Sequence, residues 1–340
     1  MRKLRILALL HESLVPPENV AGPDTLEADW KMEFDVTVTL RDLGHDVHTL
    51  GVADDLGVIR RGIEEYKPHI ALNLLEDFHG VNVFDQNVVS YLELLRVAYT
   101  GCNPRGLLLA RDKSLAKKLM AYHRIPVPEF TVFQMGRSVR RPKRLRFPLI
   151  VKSLTKEASI GISQASVVES DEKLRERVRF IHESIGTDAI VEHYIDGREL
   201  YVGIIGNQRL EVFPVWEMFF TKMPEDARRI ATDRVKWSRA YQKKRGIRTG
   251  PAKDLPNGLS QQMQRLAKRV YRTLNMSGYA RMDIRLTPEG KMYVLEANPN
   301  PQLAYGEDFA ESAEMAGIEY GELLQRILNL GLRWRPDRLG

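Results

Sequence analysis

Residues 279–298 hold the stretch that decides how this chain is read: Tyr279-Ala280-Arg281-Met282-Asp283-Ile284, then Tyr293-Val294-Leu295-Glu296-Ala297-Asn298. Both segments read as strands, joined by the turn Thr287-Pro288-Glu289-Gly290. Pairing them antiparallel places Asp283 and Glu296 on adjacent strands, with Asn298 two residues on and facing the same way. Two carboxylates and a side-chain carbonyl form a hard oxygen site. That site suits Mg²⁺, which takes a few protein carboxylates and completes its shell with water and phosphate oxygens. The plain alternative is an exposed hairpin with scattered acids.

Two further signals lie upstream. Phe147-Pro148-Leu149-Ile150-Val151-Lys152 is a buried strand that ends in a lysine, followed by Ser159-Ile160-Gly161-Ile162-Ser163. A lysine at a strand end can meet phosphate as a point charge. A small-residue turn can cover phosphates with its N–H groups. A lysine snorkelling to solvent is the alternative. Next, Ile190-Val191-Glu192-His193-Tyr194-Ile195-Asp196-Gly197-Arg198-Glu199 runs strand, Gly turn, strand. Such a connector could offer backbone groups to an adenine edge and Glu199 to a ribose, or be an ordinary hairpin.

The rest of the chain sets the frame. Its 340 residues suffice for two or three domains. A 43% apolar and 28% charged composition is that of a soluble globular protein, and the net charge of +6 does not by itself argue for nucleic acid. Cys102 is the only cysteine, so no intramolecular disulfide or cysteine metal cluster is possible and a reducing, cytoplasmic setting is expected. The apolar run at residues 6–10 reads as a first strand rather than a signal peptide, and no stretch reaches the ~18 apolar residues of a membrane span.

Strands are expected at Leu4 to Leu10, His45 to Val52, His69 to Leu75 and Ala98 to Thr100. Helices are expected at Leu26 to Leu43, Asp54 to Tyr66 (with Asp54 as cap) and Asp85 to Leu95. Alternation of this kind implies a parallel sheet. Beyond it, helices are read at Ser114 to His123, Asp171 to Ser184, Ser260 to Leu274 and Tyr320 to Leu332. Strands are read at Phe130 to Phe133, Leu149 to Lys152, Gly161 to Val168, Ala189 to Tyr194, Glu199 to Ile205 and Arg209 to Trp216. The charged stretch 222–255 shows no period and reads as a lid or a linker.

Taken in order, these signals resemble the ATP-grasp fold of D-alanine–D-alanine ligases. His79-Gly80, Tyr99-Thr100-Gly101, Asp112-Lys113 and Ile125-Pro126-Val127-Pro128 extend the likeness over nearly the whole chain. The resemblance implies an α/β architecture with an N-terminal Rossmann-like, pre-ATP-grasp domain at residues 1–104. A central ATP-grasp subdomain would follow at 105–195, and a C-terminal one with the Mg site and lid at 196–340. It implies that Lys113 and Lys152 bind ATP phosphates and that Ser159 lies over the γ-phosphate. Glu192, His193 and Ile195 would line the adenine pocket, and Glu199 would hold the ribose. Asp283, Glu296 and Asn298 would ligate two Mg²⁺ ions, Mn²⁺ being an alternative. Arg281 would stabilise an oxyanion, Lys236 would be the lid lysine, and His79 would belong to the family's His-Gly loop. The implied reaction activates a carboxylate as an acyl phosphate, which an amine attacks with release of ADP and phosphate. No membrane or nucleic-acid partner is implied, and a homodimer is usual for such proteins.

The likeness lapses at three places. Glu12 is the candidate for the family's glutamate after the first strand. Ala158-Ser159 replaces its serine pair. After Asn298, Gln302 stands in place of a glycine, and Glu307-Asp308 stand where a Ser-Leu pair takes the second substrate's carboxylate. Acids there would repel a carboxylate, so an amine that lacks one, or is cationic, is expected. Alternatively, Glu307 and Asp308 cap a helix beginning near Phe309. A true D-alanine–D-alanine ligase, and a catalytically silent nucleotide- or nucleic-acid-binding protein, are the rival readings.

Overall fold

The structure is a computed structural model that describes residues 3–17, 28–156, 159–224 and 227–336. Its first elements are β1 (Arg5–His11), α1 (Lys31–Asp42), β2 (Asp46–Val52), α2 (Leu56–Tyr66), β3 (Ile70–Asn73), α3 (Asp85–Leu94) and α4 (Pro104–Arg111). The three strands form a parallel sheet in the order β2-β1-β3, which is what helical crossovers require. Strand β1 is central and apolar on both faces, so it is buried along its length. The strand expected at residues 98–100 shrinks to one parallel bridge between Ala71 and Tyr99. The helix expected from Leu26 starts at Lys31, and residues 18–27 lie outside the described part. Helix α2 is capped by Asp55, not Asp54: the Asp55 carboxylate accepts the Gly57 N–H at 2.7 Å. Helix α4 was not expected. Asn103 caps it, accepting the Gly106 N–H at 3.0 Å, and Pro104 fills its first position.

Next come α5 (Lys113–Tyr122), β4 (Phe130–Phe133), β5 (Leu149–Ser153), β6 (Val167–Val168), α6 (Asp171–Phe180) and β7 (Ala189–His193). The strands make an antiparallel sheet in the order β4-β7-β5-β6. Of the strand expected over 161–168, only β6 forms. The Ser163 N–H donates to the Ser166 hydroxyl at 3.0 Å and folds a turn there instead, a case of a serine side chain competing with the ladder.

The last elements are β8 (Arg198–Ile205), β9 (Glu211–Val212), β10 (Trp216–Phe220), α7 (Asp233–Trp237), α8 (Arg239–Arg245), β11 (Ile247–Pro251), α9 (Leu259–Thr273), β12 (Tyr279–Leu286), β13 (Met292–Pro299), α10 (Asp308–Met315) and α11 (Tyr320–Arg333). They build an antiparallel sheet in the order β11-β10-β8-β12-β13, with β9 paired to β8. The single strand expected from Arg209 to Trp216 is two short pieces, with Pro214 between them unable to donate to a ladder. The charged stretch 222–255 is largely ordered as α7, α8 and β11. Helices of five and seven residues are too short to show a period.

Helix α11 returns to the first sheet. Ile6, Leu10, Val36 and Leu72 share one apolar cluster with Phe309, Leu324 and Leu328. The loop before α10 is thereby pressed on α1. Lys31 Nζ donates to the Tyr305 carbonyl at 2.8 Å, and the Tyr305 N–H donates to Asp35 Oδ2 at 3.0 Å. No helix among the described residues is long and apolar enough to cross a membrane.

Candidate active site

The β12–β13 hairpin supplies the centre of the site. Its register pairs Asp283 with Glu296 and Arg281 with Asn298, and it slips by one residue after Asp283. All four side chains therefore come from two alternate positions on each strand, which share one face. Arg281 grips Asp283 through two bonds, Nε to Oδ1 at 2.8 Å and Nη2 to Oδ2 at 3.0 Å, and lies over the Tyr201 ring at 4.6 Å. A guanidinium held this way leaves its Nη1 edge unused by that pair.

Helix α5 and strands β5 and β7 close on the hairpin from the other side. Lys113, the first residue of α5, donates to the Lys156 carbonyl at 2.8 Å and lies 3.8 Å from Glu296 Oε2. Lys152, near the end of β5, is 3.2 Å from Glu192 Oε2 on β7. One helical turn beyond Lys113, Lys117 is 3.2 Å from Glu192 Oε1 and donates to the Leu295 carbonyl at 2.6 Å. Lys117 and Glu192 are each 1% exposed. Burial by itself would raise the Glu296 carboxyl. Lys113, Lys152, Lys236 and Lys117 overcome that and hold it at about 2, so it is ionised at any ordinary pH. Glu192 is held below its usual range by the same logic: Lys117 and Lys152 outweigh its burial.

This donor set fits a hard divalent cation. It offers one carboxylate kept ionised, a second carboxylate beside it and a carboxamide two residues on. Among the described residues no three carboxylates, imidazoles or thiols converge to hold an ion by themselves. Mg²⁺ there would need further oxygens from a nucleotide, which is its habit.

The segment expected as a lid is docked. Ile230 is buried with Ile150 and Tyr194, and Val235 with Tyr201, Trp216 and Met218. The Asp233 N–H donates to the Ile162 carbonyl at 3.2 Å, and Gln164 makes two bonds of 2.9 Å with the Arg228 backbone. The lid thus rests on the small-residue turn. Lys236, on α7, is near enough for its charge to act on both Asp283 and Glu296.

Not every expected residue is free for a ligand or close to this centre. Glu199 is tied by Arg285 (2.6 Å) and by the Tyr201 hydroxyl (3.0 Å), which occupy its two oxygens. The His193 N–H donates to the Glu129 carbonyl at 2.8 Å, and Ile195 is buried beside it. Ser159 adopts φ +63 and its carbonyl accepts the Ile162 N–H, while Ala158 lies outside the described residues. His79 is 67% exposed and lies 3.7 Å from Asp54, with no bond to the hairpin. Glu12 sits in the short turn after β1 and is exposed, as is Gln302. Glu307 occupies the N-cap position of α10 and Asp308 its first turn, where the alternative reading put them, although the Glu307 side chain makes no cap bond. Burial and the neighbouring Asp308 push its carboxyl up, against Lys31, Arg239 and Arg281. Lys117, Tyr201 and Arg285 were not singled out from sequence. The i, i+4 spacing of Lys113 and Lys117 on one helix face was the available signal for the first.

Residues 119–329 match the family described as D-ala D-ala ligase C-terminus. The chain belongs to the D-alanine–D-alanine ligase family. It is 30% identical over 265 residues to the D-alanine--D-alanine ligase of Desulfotalea psychrophila, covering 77% of this chain and 79% of that protein. It is 32% identical over 306 residues to the uncharacterized protein y4sG of Sinorhizobium fredii, covering 88% and 86%. Among solved structures it is similar to the D-alanine--D-alanine ligase of Bacillus anthracis complexed with ATP. There the TM-score is 0.74 at 21% identity over 97% of this chain and 98% of that one. It is also similar to the VanG D-Ala:D-Ser ligase of Enterococcus faecalis, with a TM-score of 0.68 at 17% identity over 97% and 100%. The fold is therefore ATP-grasp, and the chain is an ATP-dependent carboxylate–amine ligase.

Proposed function

We propose that this ligase activates an amino-acid or peptide carboxylate as an acyl phosphate and passes it to an amine that is cationic or lacks an α-carboxylate. ADP and phosphate are released. The observation that carries the acceptor reading is Glu307. It sits at the N-cap position of α10 without a side-chain cap bond, beside Asp308 and within the field of Lys31, Arg239 and Arg281. Two acids there favour a positively charged partner and repel a carboxylate.

In this reading the chain divides into residues 1–104, 105–195 and 196–340. Lys113 and Lys152 hold the nucleotide phosphates, with Lys236 and the Ser159 turn closing over them. Glu192, His193 and Ile195 border the adenine, and Glu199 the ribose. Asp283, Glu296 and Asn298 would hold two Mg²⁺ ions, or Mn²⁺, which when bound screen the transferring phosphoryl charge. Arg281, fixed by Asp283 and Tyr201, turns its Nη1 edge to the oxyanion that forms as the amine attacks. The docked lid keeps water from the acyl phosphate. Glu12, His79 and Gln302 contribute to the substrate end. Cytoplasmic location and a homodimer complete the proposal.

The test is ADP release across a panel of paired acids and amines, with Asp283→Asn as control and the product identified by mass. Activity with diamines or basic amines supports the reading. D-alanyl-D-alanine formed from D-alanine at the rate of the best pair would instead select the reaction named for the relatives. Tight ATP binding with no ADP released by any pair would mark a binding protein.

A further inference from the structure

Lys117 has no place in the reaction just described, yet it is the most completely buried lysine at the site. Its ammonium cannot meet a ligand: the side chain is 1% exposed, and two of its directions are taken by Glu192 and the Leu295 carbonyl. It lies on the same face of α5 as Lys113, one turn further from the helix start. Lys113 reaches Glu296, and Lys117 reaches the residue before it in sequence. Burial and the Lys152 ammonium hold Lys117 below the usual lysine range, against the pull of Glu192 and Glu296. Such a group, expensive to bury, persists where its removal would leave something worse.

The neighbour at risk is Lys152. Glu192 lies between two ammonium groups, its Oε1 3.2 Å from Lys117 as an ion pair and its Oε2 accepting a hydrogen bond from Lys152 at 3.2 Å. With one carboxylate between two ammonium groups, the trio carries one net positive charge. Without Lys117, Glu192 would neutralise Lys152 alone and the net charge would vanish. We propose that Lys117 is a positioning residue that occupies half of Glu192, so that Lys152 presents an uncancelled charge to the nucleotide phosphates. This rests on the reading of Lys152 as a phosphate lysine. Through the Leu295 carbonyl the same ammonium also ties α5 and β7 to the strand that bears Glu296, so the phosphate charge and the metal hairpin are set by one group.

The test compares the affinities of the full chain for ATP and for adenosine, measured by calorimetry without turnover. Adenosine shares every contact except those to phosphate, so the ratio of the two isolates the phosphate contribution. Lys117→Met is expected to lower the ratio about tenfold, the scale of removing one charge a few ångströms behind the phosphate lysine. Glu192→Gln, which frees both lysines, is expected to raise it. Opposite movements are the signature, since a purely structural role would weaken both ligands together in both variants. If the two variants move the ratio the same way, or leave it unchanged, the inference is overturned. Should Lys117→Met fail to fold, Lys117→Gln, which removes the charge and keeps a polar donor, takes its place: a lowered ratio supports the inference, and an unchanged or raised ratio refutes it. Lys152→Met separates the underlying reading. If that variant leaves the ratio intact, Lys152 does not face phosphate; if it lowers the ratio and Lys117→Met does not, only the role of Lys117 fails.

Discussion

The nucleotide end and the acceptor end of this ligase treat buried charge in opposite ways. Around β5, β7 and β13, charges are matched: Lys117 and Lys152 share Glu192, Lys113 sits by Glu296, Arg281 holds Asp283 and Arg285 holds Glu199. Away from that network, on the inner face of α1 and at the start of α10, carboxylates are left over. Glu33 is 1% exposed with its Oε2 unpaired, and Glu307 and Asp308 stand side by side at a helix start without a cap bond. A matched network can be rigid and complete before any ligand arrives. Leftover carboxylates have a cost that a cationic ligand can offset. On the proposed reading, the matched end receives the nucleotide and the leftover acids at the start of α10 receive the amine.

The largest expected effect breaks the matched end. Asp283→Asn or Glu296→Gln should cut ADP release on the order of a thousandfold, because several kcal/mol of charge stabilisation at the phosphoryl group are lost. Thermal melting should change little for Glu296→Gln, whose side chain is 28% exposed, and should fall for Asp283→Asn, which weakens the buried pair with Arg281. Turnover within tenfold of the parent would remove the hairpin from the chemistry.

The leftover end is probed by exchanging its acids. Glu307→Ser combined with Asp308→Leu should shift preference away from cationic amines and toward amino acids with a free carboxylate. Roughly tenfold to a hundredfold in relative kcat/KM is the range for removing like-charge repulsion at a binding site. An unchanged acceptor profile would mean that the two acids never meet the substrate.

The lid lies between the two ends, and Ile230 is its buried anchor against Ile150 and Tyr194. Ile230→Ala should loosen that docking, since truncating a buried isoleucine costs about 2–5 kcal/mol. The expected sign is a rise of about tenfold in the fraction of ADP released without amide product, as water reaches the acyl phosphate. An unaltered ratio of ADP to product would show that Ile230 packs without gating.

The matched end was the part legible in the sequence. Asp283 and Glu296 could be paired from a four-residue turn, and the structure puts them in one register. Lys152 stood out as a lysine at a strand end, and Lys113 through the resemblance of Asp112-Lys113 to the ligase family. What stayed hidden depends on three-dimensional partners. Glu199 reads as an open carboxylate until Arg285, 86 residues away, is found bonded to it. Lys117 reads as an exposed helix lysine until β7 and β13 close over it. The lid read as irregular because α7 and α8 are too brief to declare a period. Asp55 displaced Asp54 as a cap by one residue, a margin that local propensity does not resolve.

Glu33 gives the smallest effect and the most direct measure of the leftover end. Burial raises its carboxyl from 4.5 to about 7, Glu76 adding to the shift. Because the folded value lies above the unfolded one, the unfolded chain gives up this proton first as pH rises. Glu33 therefore costs nothing below about pH 4.5, costs progressively more between there and about pH 7, and costs its full amount above. The difference between the two values sets a ceiling of about 3 kcal/mol, and relaxation around the site should bring the realised cost to about half of that. Glu33→Gln should accordingly raise the melting temperature by a few degrees at pH 8, the shift that about 1–2 kcal/mol produces in a chain of this size. It should do nothing at pH 4.5. If the variant melts below the parent at pH 8, the unpaired carboxylate is a structural asset, and the contrast between the two ends collapses at that residue.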